Sequence, residues 1–153
     1  MNEFNSLRME QTPKTPNIEL NQLSGELILS GISIPENAAN IYEPVLKWVN
    51  QYVLQARPIT NLRFNLEYFN SSSSMWISKI LKSLTRINHA DYLLLVHLYL
   101  PLEEYNEIKE VDNIRDAFSP ISDIFQNSIP CIGLKLYATN DKSEIIKDAL
   151  VLI

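Results

Sequence analysis

The chain has 153 residues, of which 46% are hydrophobic and 20% charged, with a formal net charge of −5, one cysteine and three glycines. A chain of this size and ordinary composition is expected to form one domain with its own core, needing neither disulfides nor metal. The acidic balance argues against a nucleic-acid surface, whose usual footprint is a basic stripe. The first residues show no basic-then-apolar leader pattern and no apolar run reaches membrane-spanning length, so the expected location is cytoplasmic, without membrane insertion.

Residues 1–16 are polar and carry Thr12-Pro13 and Thr15-Pro16, the composition of a flexible N-terminal arm; residues 17–153 form the expected single domain. Ile18 and Leu20 alternate with polar neighbours, a turn runs through Leu23, Ser24 and Gly25, and the alternation resumes at Leu27 and Leu29. This is a β-hairpin, its second strand ending at Gly31. Ile41, Val45, Trp48, Val49 and Tyr52 then recur at helical spacing. Asn37 is placed to cap that helix. Pro44, which removes a backbone donor, sets its start near Tyr42 or kinks it, and Arg57-Pro58 ends it.

From Leu62 the period is two, with Leu62, Phe64, Leu66 and Tyr68 on one side; Phe69 breaks the alternation, as at a strand end covered on both sides. After Asn70 the period becomes that of a helix, through Ile77, Ile80, Leu81, Leu84 and Ile87, so four serines, Ser71 to Ser74, occupy a strand-to-helix turn. Two readings fit. Serine and asparagine oxygens cap the free N–H groups of a first helical turn. The same N–H groups and the positive end of the helix dipole also suit a phosphate, so a phosphoserine is accommodated there.

Tyr92 to Leu100, YLLLVHLYL, reads as a strand near the centre of the sheet, covered on both faces. Residues 102–127 are acidic and helical in pattern through Ile108, Val111, Ile114 and Phe118, with a break at Ser119-Pro120 and a second segment through Ile121, Ile124 and Phe125. Cys131 to Ala138 is a further strand and Ser143 to Leu150 a short terminal helix. The order β-β-α-β-α-β-α-β-α implies an α/β fold, a mixed, mostly parallel sheet with helices packed on it.

Catalytic chemistry does not assemble from these residues. There is neither a phosphate-cradling glycine loop nor Gly-x-Ser-x-Gly, and His89 and His97 have no carboxylate or cysteine at ligand spacing. The expectation is a non-enzyme without cofactor or metal. His97 reads as a satisfied core histidine and Cys131 as a small buried side chain. Trp76 lies off the apolar stripe beside Lys79 and Ser83; it is either an anchor for a partner or a residue packed under a loop. Lys79, Lys82 and Arg86, and likewise Glu103, Glu104, Glu107 and Glu110, read first as solvated faces and second as docking surfaces.

The segments TPNIEL, SGELILSGISIPENA, YEPVLKWVNQY and LRFNLEYFNSSSS, in that order, resemble the SiaC family of bacterial regulatory phosphoproteins. That family carries a Thr-Pro near its start, a Gly-x-Leu-x-Ile/Leu-x-Gly segment, Pro-Glu-Asn before the first helix and an Asn-Thr/Ser-Ser-Ser run before the second. The match covers about Thr15 to Leu84 and extends more weakly to Phe118. The resemblance implies a STAS-like fold and a partner-switching role. A serine/threonine kinase phosphorylates one hydroxyl at the start of the second helix, a PP2C-type phosphatase removes the phosphate, and the unphosphorylated form activates a diguanylate cyclase in c-di-GMP signalling and biofilm regulation. Carried onto this chain, the phosphoacceptor is Ser71, with Ser72 and Ser73 as register alternatives; Asn70, Ser72, Ser73, Trp76 and Lys79 flank it or meet the partner. Met75 stands where the family commonly has a lysine, and the family's acidic cluster is represented by Glu103, Glu104 and Glu107.

Overall fold

A computed structural model describes residues 5–108, 124 and 128–152. The alternating segments form the antiparallel strands β2 (Asn17–Asn21) and β3 (Glu26–Ser33). Their turn is closed by the Asn21 side chain, which accepts from the backbone N–H groups of Leu23 (2.8 Å) and Ser24 (3.1 Å). Gly25 has φ of 74°, and a Cβ there would sit 2.5 Å from the Ile59 carbonyl oxygen, so only glycine fits.

The arm expected to be loose up to residue 16 is held down in its described part. Strand β1 (Leu7–Met9) pairs antiparallel with β2, and Leu7 and Met9 pack against the core. Trp48 Nε1 donates to the Asn5 carbonyl (2.8 Å), and Ile34 N donates to the Lys14 carbonyl (2.8 Å). The open edge of β2 offers backbone groups that a three-residue strand can satisfy, too short a signal to stand out in the sequence.

Helix α1 (Ala38–Tyr52) begins earlier than Tyr42 and holds Pro44 inside it; Asn37 occupies the N-cap position, but its side chain makes no capping bond. Then follow β4 (Ile59–Phe69), α2 (Ser71–Leu84), β5 (Leu93–Pro101), α3 (Leu102–Ile108), β6 (Cys131–Thr139) and β7 (Ile145–Leu152). Among the described residues seven strands lie in the sheet in chain order, with β3, β4, β5 and β6 mutually parallel and antiparallel strands at both margins. One face carries the core: Leu27, Leu29, Leu62, Phe64, Leu94, Val96, Leu134 and Leu136 meet Tyr42, Val45 and Val49 of α1, Ile80, Leu81 and Leu84 of α2, and Tyr105 of α3.

Several expectations are corrected. The segment read as a terminal helix is strand β7, antiparallel to β6. Ile145, Ile146, Ala149 and Leu150 do fit a helix, but so short a helix is marginal alone, whereas pairing satisfies the backbone of the β6 edge. Gly31 does not end its strand; it lies inside β3 with φ of 95°, at a shift in register against β4. Cys131 is exposed rather than buried, because it opens β6 at the end of the sheet. The helical pattern assigned to Val111, Ile114, Phe118, Ile121 and Phe125 lies outside the described residues.

β5 runs between β4 and β6, but its second face is covered only in part, by a polar network. Arg63 Nε donates to Glu26 (2.8 Å), and its Nη1 donates to the Tyr99 hydroxyl (2.8 Å). His97 is buried, with Nε2 2.7 Å from Asn61 Oδ1 and Nδ1 2.7 Å from the Tyr137 hydroxyl. An Nε2–H tautomer satisfies both contacts, donating to Asn61 and accepting from Tyr137. Burial first, and the Arg63 charge second, lower its pKa to about 4.

Between that value and the unfolded value of about 6.5 only the unfolded chain binds a proton at this site. Stability is therefore lost as pH falls through this window, by up to about 3 kcal/mol. Urea unfolding at pH 7, 6 and 5 should show a loss on acidification that is smaller in His97→Gln; parallel losses in the two proteins would contradict the assignment.

Candidate functional site

The serine run sits where β4 hands over to α2. Thr60, Leu62, Phe64 and Leu66 of β4 face the core until the register against β3 shifts between Gly31 and Ile32. Gly31 pairs with Leu66 but Ile32 with Tyr68, which leaves Glu67 as an extra residue and breaks the alternation. Tyr68 and Phe69 consequently emerge 65% and 52% exposed, so the strand end expected to be covered on both sides is open.

Asn70 makes the turn. Its N–H donates to the Ser33 carbonyl (3.0 Å) at the end of β3, and its Oδ1 accepts from Ser73 N (3.0 Å), the side-chain cap of α2. Its carbonyl accepts from Ser74 N (3.1 Å), the first helical bond. Ser73 is fully buried: its hydroxyl lies 2.8 Å from Asn70 Oδ1, 3.0 Å from the Ser33 carbonyl and 2.8 Å from Ser33 Oγ. Ser33 Oγ in turn bonds the buried Tyr42 hydroxyl of α1. Burial pushes the Tyr42 phenol up, against the opposing effect of its bonds to Ser33 and Ser73. It stays a neutral hydroxyl able to donate or accept.

The four serines are therefore unequal. Ser73 is locked inside; Ser74 is half-buried, with its hydroxyl 3.4 Å from the Asn70 carbonyl. Ser71 and Ser72 are exposed, and neither hydroxyl has a hydrogen-bond partner among the described residues. They sit at the N-terminus of a 14-residue helix with no acidic side chain in its first turn, so the local field favours an anion. Around them, Tyr68, Phe69 and the 51% exposed Met75 form an apolar rim. Trp76 is half-buried against the core, and Lys79 Nζ lies 4.5 Å over its ring, so these two are brought together one to two turns along α2.

The chain order of the site was legible from the change of period, but Ser33 and Tyr42 were missed as members of it. Ser33 reads as an unremarked polar residue in SGISIP, and only its place opposite Phe69 in the parallel pair brings it under the turn. Among the described residues no group of three or more His, Cys, Asp or Glu side chains is placed to hold a metal ion, and no helix is long and apolar enough to cross a membrane.

A family model described as SiaC family regulatory phosphoprotein matches residues 9–125. The protein PA14_02130 of Pseudomonas aeruginosa (strain UCBPP-PA14), described as uncharacterized, is 30% identical over 70 residues, which are 46% of this chain and 56% of that protein. The match thus spans a little over half of that relative. Among solved structures, apo-SiaC from Pseudomonas aeruginosa shares the fold with a TM-score of 0.62 at 21% identity, over 85% of this chain and 98% of that one. A chain from the crystal structure of the diguanylate cyclase SiaD in complex with its activator SiaC, from the same organism, gives 0.61 at 23% identity, over 72% and 90%.

The unequal roles of the turn residues should appear in stability. Asn70→Ala removes a cap and should cost about 1 to 2 kcal/mol. Ser73→Ala leaves buried partners short of a bond and should cost about 1 to 3 kcal/mol. Ser71→Ala and Ser72→Ala should stay within about 0.5 kcal/mol of the parent. Urea denaturation of the four variants checks this ranking; a Ser71→Ala loss as large as that of Ser73→Ala would contradict it.

Proposed function

The chain belongs to the SiaC family of regulatory phosphoproteins, and from that premise we propose that it is a non-enzymatic regulator switched by reversible phosphorylation of Ser71, whose unphosphorylated form binds and activates a diguanylate cyclase. The observation that carries this reading is the division of labour in the serine run. Asn70 supplies the side-chain cap and Ser73 is consumed in the buried cluster, so the exposed hydroxyls of Ser71 and Ser72 have no part in holding the helix start. Ser71 directly follows the Asn70 turn, in the family's position for the acceptor. A protein described as the activator of the diguanylate cyclase SiaD, sharing this fold, supports the choice of partner.

In the proposed cycle a serine/threonine kinase transfers the γ-phosphoryl group of ATP to Ser71 Oγ. The new P–O bond replaces the bond to the β-phosphate oxygen, the hydroxyl proton leaves, and ADP departs. A PP2C-type phosphatase returns the serine by hydrolysis. Neither step need disturb the fold, because the dianion lies at the positive end of α2 with open N–H groups beside it. The cost falls on the partner instead. A partner seated on the apolar rim of Tyr68, Phe69 and Met75, with Trp76 and Lys79 at its margin, would have to desolvate roughly 1.5 to 2 negative charges. About 3 kcal/mol of such penalty corresponds to roughly 150-fold in affinity. Asn70 and Ser73 are positioning residues here, fixing where the Ser71 hydroxyl emerges.

The rival reading is a constitutive interaction module with the serines serving only as caps, and the idle hydroxyls of Ser71 and Ser72 weigh against it. Titration calorimetry against the cognate cyclase separates the two. Ser71→Ala should bind like the parent and Ser71→Asp should bind tens of times more weakly, with cyclase activation falling in step. Equal affinities for parent, Ser71→Ala and Ser71→Asp would leave the constitutive module standing.

A further inference from the structure

Away from the serine turn, α1 and α2 leave between them a cleft of about 210 Å³ whose lining is electrostatically one-sided. Leu46 and Asn50 of α1 face Lys79, Lys82 and Ser83 of α2 and Arg86, two residues past its end. At its floor the buried Ser83 hydroxyl donates to Asn50 Oδ1 at 2.6 Å, so the amide oxygen is occupied and the amide N–H groups are what Asn50 has left to offer. Two ammonium groups, a guanidinium and an amide are all donors, and no carboxylate is among the lining residues. The ion pairs among the described residues join other cations: Arg8 with Glu19, Lys14 with Glu36, Lys47 with Glu43, and Arg63 with Glu26. Lys79 is held over the Trp76 ring, which steadies its charge without neutralising it.

This concentration of positive charge stands on a protein of net charge −5. Lys79 and Lys82 lie one turn apart on α2, about 5 Å along its axis, and Arg86 continues the row past the helix end. A lone phosphate would engage one or two of these groups, whereas such a row matches successive carboxylates on a peptide. Leu46 supplies an apolar contact within the same cleft. We propose that this cleft is a docking groove for an acidic segment of a protein partner, its carboxylates meeting Lys79, Lys82 and Arg86 and an apolar side chain resting on Leu46. The groove shares Lys79 with the margin of the serine-turn surface, but it concerns the unmodified chain, and Lys82 and Arg86, on which its test rests, belong to the groove alone.

The test uses the full ¹⁵N-labelled chain and two synthetic peptides, one alternating glutamate with leucine at helical spacing and one with every glutamate replaced by glutamine; pyrophosphate serves as a competitor. The glutamate peptide should shift the amides of Asn50, Lys79, Lys82, Ser83 and Arg86, and the glutamine peptide should not. The double variant Lys82→Glu, Arg86→Glu should weaken the interaction about tenfold or more. Both side chains are exposed, and should the double variant not fold, Lys82→Gln must move affinity in the same direction. Shifts spread equally over Arg8, Lys14 and Lys142, an unchanged affinity in the variants, or no binding would overturn the proposal. So would complete displacement by pyrophosphate with the same shift pattern, which would mark a small-anion site instead.

Discussion

The structure turns on the hydrogen-bonded knot at the C-terminal ends of β3 and β4. Asn70 ties its own N–H to the Ser33 carbonyl and its side chain to the Ser73 amide, while Ser73, Ser33 and Tyr42 exchange hydrogen bonds in a volume without water access. Four polar side chains from a strand, two helices and the turn between them satisfy one another there. Because every member is partnered, the knot fixes the angle at which α2 leaves the sheet. Removing one member strands the others. The exposed residues before and after it, Tyr68, Phe69, Ser71, Ser72 and Met75, owe their positions to this anchor.

Buried and exposed hydroxyls are thereby separated within a run of four identical residues. The Ser73 hydroxyl that holds the fold is inside; those of Ser71 and Ser72 are outside and make no hydrogen bond among the described residues. On the proposed reading, a phosphate at Ser71 changes how the surface meets a partner while the core under it stays as it was. A second polar network lies on the other face of the sheet, where Glu26, Arg63, Asn61, His97, Tyr99 and Tyr137 are joined by hydrogen bonds. His97 held neutral by burial is a structural member there.

Much of this was legible in the chain. The switch from period two to a helical period located the serine turn between Asn70 and Met75, and the hairpin, both main helices and the central strands followed from apolar spacing. What escaped was whatever depended on contacts distant in sequence. Ser71 and Ser73 look equivalent in SSSS; only Ser33, forty residues from Ser73, makes one of them internal. β7 has a spacing that suits a helix as well as a strand, and the open edge of β6 decides the matter. Leu7 to Met9 carries too few residues for a periodic signal. The run YLLLVHLYL hides its alternation, because leucines and tyrosines line both faces although one of them is half-open.

On the proposed reading the exposed Ser71 hydroxyl, and not the buried Ser73, accepts the phosphate. The decisive measurement is tandem mass spectrometry of the folded protein after incubation with ATP and the proposed serine/threonine kinase. A single phosphoryl group is expected on Ser71 and none in Ser71→Ala. Phosphate on Ser73, on a threonine of the N-terminal segment, or on no residue at all would contradict it.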